Sequence, residues 1–280
     1  MTGVSAVIVT YRTGPVLWDC LAALEHEPIV RERIVIDNGN PHDAAKRLRA
    51  MSAVNAIVLL EGQGNVGFAS ASNLGASRAR EDVLLFLNPD VTMAPGAAAR
   101  LLETLANARA PAVVGARLTD EKGREQRGAR RDRLTLASAF VSFTGLTALG
   151  FRDMHRERDP LPEGAIEVGA VSGAAMMLRR ADFGALGGFD EGYFLHVEDI
   201  DLCRRAADAG GQVLFEPRAT GVHALSSSDA SRFVVARHKA ASFARYFAKF
   251  ARNPFERALA ALIGAALLVI LPLRAAFARR

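Results

Sequence analysis

Short apolar runs alternate with helical segments over the first 116 residues, and this alternation limits the folds that the chain can adopt. The runs Val4–Thr10 and Val83–Leu87 are almost wholly apolar, which is typical of strands buried on both faces. Further strands are predicted at residues 33–37, 56–60 and 112–116, and helices at 15–27, 42–51, 66–80 and 95–108. Such βαβ units predict an α/β fold with a mostly parallel sheet flanked by helices.

Residues 120–159 interrupt the alternation because they are rich in arginine and other charged residues. Two interpretations stay open: a partly mobile loop region that contacts substrate, or a surface insertion. Regular structure is predicted to resume with β structure at 168–178, helices at 182–187 and 198–209, and short strands at 213–215 and 221–223.

The last fifty residues differ in charge from the rest of the chain. Residues 231–280 hold ten basic residues and one acid, a net of +9, so the remainder carries −4 within the total of +5. A mildly acidic body with a basic tail argues against nucleic acid as a partner of the fold as a whole.

Two helices are predicted in this tail. Residues 233–250 form a basic helix with clustered aromatic residues, and residues 258–273 carry no charge. Sixteen residues span about 24 Å, short of the roughly 30 Å hydrocarbon core, so we expect a helix that lies in or dips into a membrane surface. The flanking arginines would contact lipid phosphates. The alternative is a helix that docks on the core or on a partner subunit, including another copy in a homo-oligomer.

The cysteine content and the first residues indicate a compartment. Cys20 and Cys203 are far apart in the sequence, which suggests neither a disulfide framework nor a CxxC metal site and fits a reducing cytosol. Residues 1–11 read as a first strand, not as a signal peptide. We therefore expect a cytoplasmic protein, peripheral on the inner face of the cell membrane.

Polar residues follow three of the predicted parallel strands. They are Thr10, Tyr11 and Arg12 after the first strand, Asp37 and Asn38 after the second, and Asn88 and Asp90 after the fourth. Because the carboxyl ends of parallel strands share one edge of a sheet, a ligand site is expected there. Asp37 could accept hydrogen bonds from a ribose or a base, or it could cap an Asp-Asn-Gly turn. The segment TYRTG lacks the GxGxxG of an NAD site.

Two further motifs allow anion or cation binding. The loop with Asn65 and Gly67 precedes a helix that carries Asn73, so its backbone N–H groups could approach an anion, or it could be an ordinary helix entry. Asp90 could hold Mg²⁺ or Mn²⁺ against a diphosphate, or could belong to a polar turn. His223 becomes a candidate ligand only beside such a metal.

Three acids in four residues open the helix predicted at 198–209, namely Glu198, Asp199 and Asp201. Acids in a first turn commonly cap helices, but three exceed what capping needs. A carboxylate held near a sugar hydroxyl could act as a general base. Tyr193 and Phe194, just upstream, could line a substrate pocket.

Taken together and in this order, the motifs resemble the family-2 glycosyltransferases with the GT-A fold, especially the rhamnosyltransferase-like branch. The matching pieces span roughly residues 4–225 and are VIVTYR, IDN, GNVGFASASNLG, LFLNPDV, the long segment 171–211 and GVH. The resemblance implies a glycosyltransferase domain over residues 1–228, with a nucleotide-binding half at 1–117 and an acceptor half at 118–228. Residues 229–280 would then be C-terminal helices.

The resemblance also implies roles for individual residues. Thr10, Tyr11 and Asp37 would cradle the nucleotide, and Asp90 would take the place of the last acid of the family's DxD metal motif. Asp199 would be the catalytic base of an inverting single displacement, with Glu198 as the fallback.

One departure bears on the metal. Asn88 stands where the family's DxD motif has its first carboxylate, which weakens the assignment of Asp90 and His223 as metal ligands. The resulting Asn-Pro-Asp pattern resembles the rhamnosyltransferase-like branch, which favours dTDP-rhamnose as the donor. The acceptor would be a lipid-linked or polysaccharide hydroxyl in cell-envelope glycan synthesis. The competing hypotheses are a sugar-1-phosphate nucleotidyltransferase and a non-catalytic subunit that binds nucleotide sugars or glycans.

Overall fold

The computed structural model describes residues 2–144, 149–224 and 231–277. Its central sheet has nine strands in these ranges, namely β1 Val4–Thr10, β2 Val30–Asp37, β3 Val58–Leu60, β4 Val83–Leu87, β5 Val91–Met93, β6 Ala112–Thr119, β8 Ile166–Glu167, β10 Ala175–Arg179 and β11 Gln212–His223. Their order in the sheet is β3-β2-β1-β4-β10-β6-β11-β5, with β8 beside β11. A small second sheet pairs β7 Arg130–Arg131 with β9 Ala170–Val171.

The helices are α1 Val16–Glu25, α2 His42–Ala53, α3 Phe68–Arg78, α4 Ala97–Ala106, α5 Leu136–Thr144, α6 Arg180–Ala185, α7 Glu198–Asp208, α8 Arg232–Phe250 and α9 Pro254–Phe277. The predicted α/β class with a sheet flanked by helices is confirmed. Every residue of β1 and β4 is buried, as their apolar sequences require, and the two strands pair in parallel.

The sheet is mixed because β10 lies antiparallel between β4 and β6. Strands β3, β2, β1 and β4 run parallel to one another, and β6 pairs in parallel with β11. The carboxyl ends of β1, β2, β4, β6 and β11 therefore face one edge of the sheet, and the candidate site residues lie along this edge.

Four local predictions differ from the structure. The two strands predicted at 213–215 and 221–223 are one strand, β11, whose pairing with β6 shifts between Glu216 and Thr220. The β structure predicted at 168–178 is divided by a turn at Ser172–Ala174 into β9 and β10. Strand β5 was not predicted, and the unassigned segment 120–159 contains β7 and α5.

Helix α8 packs on the body of the protein. The Ser242 hydroxyl donates to the Leu195 carbonyl at 2.9 Å, and the Tyr246 hydroxyl donates to the Leu134 carbonyl at 3.3 Å. Lys249 forms salt bridges with Asp190 at 2.7 Å and Asp201 at 2.6 Å. Helix α8 is thus bonded to the body, while the predicted boundary at residues 228 and 229 lies outside the described residues.

Helix α9 packs on α8 along one face. Ala260 and Leu267 are buried, and a Cβ at Gly264 would lie only 2.9 Å from the Cβ of Ala244, so Gly264 permits the close helix contact. Residues Pro254–Leu273 form the one helix in the described ranges that is long and apolar enough to cross a membrane by length and composition. The helix is longer than the predicted 16 residues, so it is not too short to span the hydrocarbon core.

Candidate active site

A cavity of about 590 Å³ lies at the carboxyl ends of β4, β6 and β11. Four of the predicted site residues line it, namely Asn88, Glu198, Asp199 and His223. Its other walls come from the segment 126–131, from α5, from the turn before β10 and from α8. The predicted meeting of polar groups at one sheet edge is therefore what the structure shows.

Asp199 lies in the first turn of α7 and is held by three hydrogen bonds. Its Oδ2 accepts from the backbone N–H of Gly173 at 3.0 Å and from Nη1 of Arg131 at 3.2 Å. Its Oδ1 accepts from the N–H of Ile200 at 2.8 Å. A carboxylate has about four acceptor positions, so these bonds fix its orientation and leave capacity for one more donor, such as an acceptor hydroxyl.

Glu198, the neighbouring acid, has a different environment. It is buried, and its Oε2 has no hydrogen-bond partner among the described residues. Burial, reinforced by the negative charge of Asp199, raises the pKa of Glu198 to about 8. Glu198 is therefore mostly protonated and neutral near pH 7. Asp199, in contrast, forms a salt bridge with the guanidinium of Arg131.

The backbone just before α7 is strained. His196 and Val197 have φ angles of +67° and +75°, in the left-handed region that side chains other than glycine rarely adopt. Both residues line the cavity. Such strain persists only where surrounding contacts impose it, and here it turns the chain so that α7 begins with both acids in the cavity wall.

Asp90 and His223 lie together, as predicted. Nε2 of His223 is 3.1 Å from Oδ1 of Asp90, and Nδ1 of His223 is 2.9 Å from Oε1 of Gln126. The Gln126 amide also donates to the His223 carbonyl at 2.6 Å. The imidazole is thus oriented from both sides, with Nε2 towards the carboxylate.

These two donors suit a divalent cation that is shared with a substrate. A carboxylate oxygen and an imidazole nitrogen are both ligands of Mn²⁺. Gln126 bonds to the other ring nitrogen of His223, and such a hydrogen bond commonly orients a metal-bound histidine. No group of three or more His, Cys, Asp or Glu that could hold a metal occurs in the described residues. Asp90 and His223 therefore fit a cation only if substrate oxygens or water complete its coordination.

The ends of β1 and β2 form a polar cluster beside the cavity. Oδ1 of Asp37 accepts from the N–H groups of Gly39 and Asn40, both at 2.8 Å, which is the turn geometry considered as the alternative role. No described residue donates a hydrogen bond to its Oδ2, so this oxygen remains able to accept from a ligand. The Thr10 hydroxyl is buried and bonds to Thr13 and Asn40, so it shapes the turn.

Tyr11 and Arg12 follow directly. The Arg12 guanidinium lies 5.4 Å from the centre of the Tyr11 ring, and Arg12 is exposed with a φ of +48°. The Tyr11 ring borders Gly39, where an added Cβ would be 3.4 Å from it. An exposed arginine and an aromatic ring at this edge are suited to a base or a phosphate.

The glycine loop does not form the open anion site that the sequence suggested. The N–H of Gly67 donates to Oδ1 of Asn65 at 3.2 Å, and the N–H of Phe68 donates to the Phe194 carbonyl at 2.8 Å. Asn38 donates to the Gly67 carbonyl at 3.2 Å. These N–H groups are already used by the protein. Gly67 is needed because a Cβ there would lie 2.6 Å from the Phe194 oxygen.

Asn73 was predicted as a donor-site residue, and the structure shows its side-chain amide bonded within the protein. Its Nδ2 donates to the Phe189 carbonyl and to Glu191 Oε1, both at 2.9 Å, and its Oδ1 accepts from the N–H of Phe189 at 2.9 Å. The amide thus bonds to the turn at residues 187–191, the GGFDE turn, and Asn73 does not line the cavity.

The proposed aromatic lining is also wrong. Tyr193 is buried and donates its hydroxyl to Asp201 at 3.1 Å, and the Phe194 ring stacks on His238 at 4.2 Å between centroids. Neither residue lines the cavity. Asp201 itself is fully buried and bonded to Arg205, so the third acid of the helix start is structural.

Several cavity residues were not predicted from the sequence, namely Arg127, Arg131, His155, His196 and Lys239. Burial and neighbouring cations lower the pKa of His155 to about 4, so its imidazole is neutral near pH 7. Desolvation, with the charges of Arg131 and Arg127, lowers the pKa of Lys239. The arginine-rich composition of 120–159 was the signal, and the structure places part of this segment in the cavity wall.

Two relatives with assigned activities are similar over much of the chain. The "N-acetylglucosaminyl-diphospho-decaprenol L-rhamnosyltransferase" of Mycobacterium tuberculosis is 28% identical over 264 residues, covering 85% of this chain and 83% of the relative. "Rhamnosyltransferase WbbL" of Escherichia coli K12 is 28% identical over 177 residues, covering 61% of this chain and 65% of the relative.

Solved structures show the same fold at low identity. The complex of GalNAc-T7 with UDP, GalNAc and Mn²⁺ has a TM-score of 0.63 at 16% identity, covering 95% of this chain and 55% of that one. The mannosyltransferase PcManGT of Pyrobaculum calidifontis, with GDP-Man and Mn²⁺, has a TM-score of 0.61 at 16% identity, covering all of this chain and 77% of that one.

The family model for glycosyl transferase family 2 matches residues 5–187. The matched region runs from β1 through the cavity-lining turn before β10 and ends before the acids of α7. Together with the mixed sheet and the site at its carboxyl edge, the match establishes that the chain belongs to glycosyl transferase family 2 and has the GT-A fold.

Proposed function

We propose that this glycosyltransferase moves L-rhamnose from dTDP-rhamnose to a hydroxyl of a lipid-linked acceptor at the cytoplasmic face of a membrane. The observation that carries the reaction is Asp199, fixed by three donors in a cavity that is also lined by His223, the partner of Asp90. The rhamnosyl donor and lipid-linked acceptor are supported by relatives that are named as rhamnosyltransferases, one of them for a diphospho-decaprenol substrate.

In this proposal Asp199 accepts the proton of the acceptor hydroxyl as its oxygen attacks the anomeric carbon. The bond from that carbon to the donor diphosphate breaks, and the configuration inverts. Arg131 and the Gly173 N–H hold the carboxylate in position throughout.

The leaving diphosphate needs positive charge near Asp90. A divalent cation bound there would neutralise the departing oxygens. Asp90 and His223 are the residues that would hold it, with Gln126 fixing the imidazole. The donor nucleotide would extend along the ends of β1 and β2 towards Oδ2 of Asp37, with Tyr11 and Arg12 beside it.

The test is a panel of nucleotide sugars, with Mn²⁺, with Mg²⁺ and with EDTA, in the presence of a prenyl-diphosphate-linked sugar. We expect release of dTDP from dTDP-rhamnose that depends on the acceptor. Release from no donor would overturn the proposed function. Full rhamnosyl transfer in EDTA would retain the reaction but remove the metal role of Asp90 and His223.

The membrane is proposed as a partner through α9. Phe255, Leu262 and Val269 are 76%, 70% and 59% exposed, so the face turned away from α8 is apolar. The basic tail adds attraction to anionic lipids.

A matched pair of variants tests this attachment. The double variant Leu262→Glu, Val269→Glu changes exposed side chains only, so it should leave the fold intact and release the protein from anionic vesicles. The variant Arg100→Glu, at an exposed position on α4, controls for added negative charge. Removal of residues 258–280 should also release the protein without unfolding the body. If both altered proteins remain on vesicles, α9 is not the anchor.

A further inference from the structure

Three cationic side chains project into the cavity around Asp199, namely Arg127, Arg131 and Lys239. Arg131 is paired with Asp199, and Arg127 donates to Asp153 at 3.0 Å. Lys239 has no salt-bridge partner within 4.0 Å in the ranges that the structure describes. Arg131 and Arg127 are each balanced by a carboxylate, so Lys239 adds a positive charge to the cavity wall that no salt bridge in the described ranges balances.

An unpartnered buried atom also points to a missing ligand. Nδ1 of His155 is buried without a hydrogen-bond partner among the described residues, and His155 lines the same wall. A buried polar atom without a partner is costly unless a ligand or water satisfies it. The cations lie around this atom, since Arg131, Arg127 and Lys239 all depress the pKa of His155.

The cluster belongs to the acceptor side of the cavity. Asp199 must touch the acceptor hydroxyl if it is the base, and Arg131 contacts Asp199 directly. The cations come from the segment 127–131 and from α8, whereas the proposed donor contacts come from the ends of β1, β2 and β4. On α8, Phe243 lies one turn after Lys239 and also lines the cavity, so an apolar surface adjoins the cations.

We propose that Arg127, Lys239 and His155 form a binding site for the diphosphate of a prenyl-diphosphate-linked acceptor, separate from the site of the donor diphosphate. The acceptor sugar would then bridge from this site to Asp199, and the start of the prenyl chain would contact Phe243. Arg131 links the diphosphate site to the proposed base, because it lines the same wall and its guanidinium bonds to Asp199. The inference rests on the proposed function for the identity of the acceptor.

The first test measures binding and requires no turnover. Geranyl diphosphate is titrated calorimetrically into the full-length protein, with the donor site saturated by dTDP and Mg²⁺. We expect the wild type to bind it, and Lys239→Met and Arg127→Gln each to weaken binding about tenfold, the loss of one charge-assisted hydrogen bond. Arg124→Gln is the matched control, because Arg124 is exposed, pairs with Asp120 and does not line the cavity.

Two outcomes would overturn the site. If dTDP abolishes geranyl diphosphate binding, the cations belong to the donor site. If both cavity variants bind as the wild type does, the cluster does not hold a diphosphate. Melting temperatures within a few degrees of the wild type exclude unfolding as the cause of weaker binding. The variant Lys239→Arg keeps the charge and should retain most of the wild-type affinity.

Kinetics separate this inference from the proposed function. With a prenyl-diphosphate-linked sugar, Lys239→Met should raise the acceptor KM about tenfold and leave the donor KM unchanged. With a simple glycoside that lacks the diphosphate, the variant should match the wild type. If no nucleotide sugar is turned over while geranyl diphosphate binding follows the expected pattern, the proposed function fails and the diphosphate site stands.

Discussion

The buried acid Glu198 should make stability depend on pH in a defined direction. Burial and the charge of Asp199 raise its pKa from 4.5 to about 8 in the folded protein. Between these values the folded chain keeps a proton that the unfolded chain has released, so stability is full below pH 4.5 and is lost as pH rises towards 8. At 1.36 kcal/mol for each tenfold change in proton affinity, the loss has an upper limit of about 5 kcal/mol.

Glu198→Gln removes the titration and keeps the shape of the side chain. We expect the variant and the wild type to have similar free energies of unfolding at pH 5, and the variant to be more stable by about 2–5 kcal/mol at pH 8.5. Urea unfolding followed by circular dichroism at both pH values measures this difference. Glu163→Gln, at an exposed position, is the control and should show no such divergence.

A second variant tests how much the charge of Asp199 contributes to the raised pKa of Glu198. Asp199→Asn removes the neighbouring negative charge, so it should lower the pKa of Glu198 and reduce the pH-dependent loss of stability without abolishing it, because burial remains. The reasoning is refuted if wild type and Glu198→Gln lose stability in parallel between pH 5 and 8.5.

Two further predictions concern the supports of the site. Asn73→Ala removes three hydrogen bonds to the GGFDE turn and should lower the free energy of unfolding by about 1–3 kcal/mol. The affinity for dTDP, measured calorimetrically, should stay unchanged. A tenfold loss of that affinity would instead support Asn73 as a ligand of the donor. Gln126→Leu frees the His223 imidazole and should raise the Mn²⁺ concentration for half-maximal transfer about 10- to 100-fold; an unchanged concentration would separate His223 from metal binding.

Local sequence pattern was enough to predict strands β1 to β4 and β6, and the main acids. Strands β1 and β4 are apolar throughout and buried throughout, so their sequence alone determined their place in the sheet. Glu198 and Asp199 were found because three acids exceed what a helix start needs. The contact between Asp90 and His223 followed from the family resemblance and from the shared edge of the sheet.

The missed features depend on contacts between distant segments. Arg131 and Lys239 meet in one cavity although 108 residues separate them, and nothing in their local sequences indicates this. The contacts of Asn73 could not be predicted, because an asparagine that holds a distant turn looks, in sequence, like one that binds a ligand. Strand β5 is three residues long, and its pairing with β11 makes it recognisable only in three dimensions.

The central claim is that Asp199 is the base of a sugar transfer. The most direct measurement compares Asp199→Asn with Glu198→Gln for transfer from dTDP-rhamnose at saturating acceptor, with dTDP affinity determined on the same proteins. Asp199→Asn should lower kcat by about 10²–10⁴ and bind dTDP as the wild type does, while Glu198→Gln keeps most of its activity. Transfer retained by Asp199→Asn would contradict the account, and loss in Glu198→Gln alone would assign the base to Glu198.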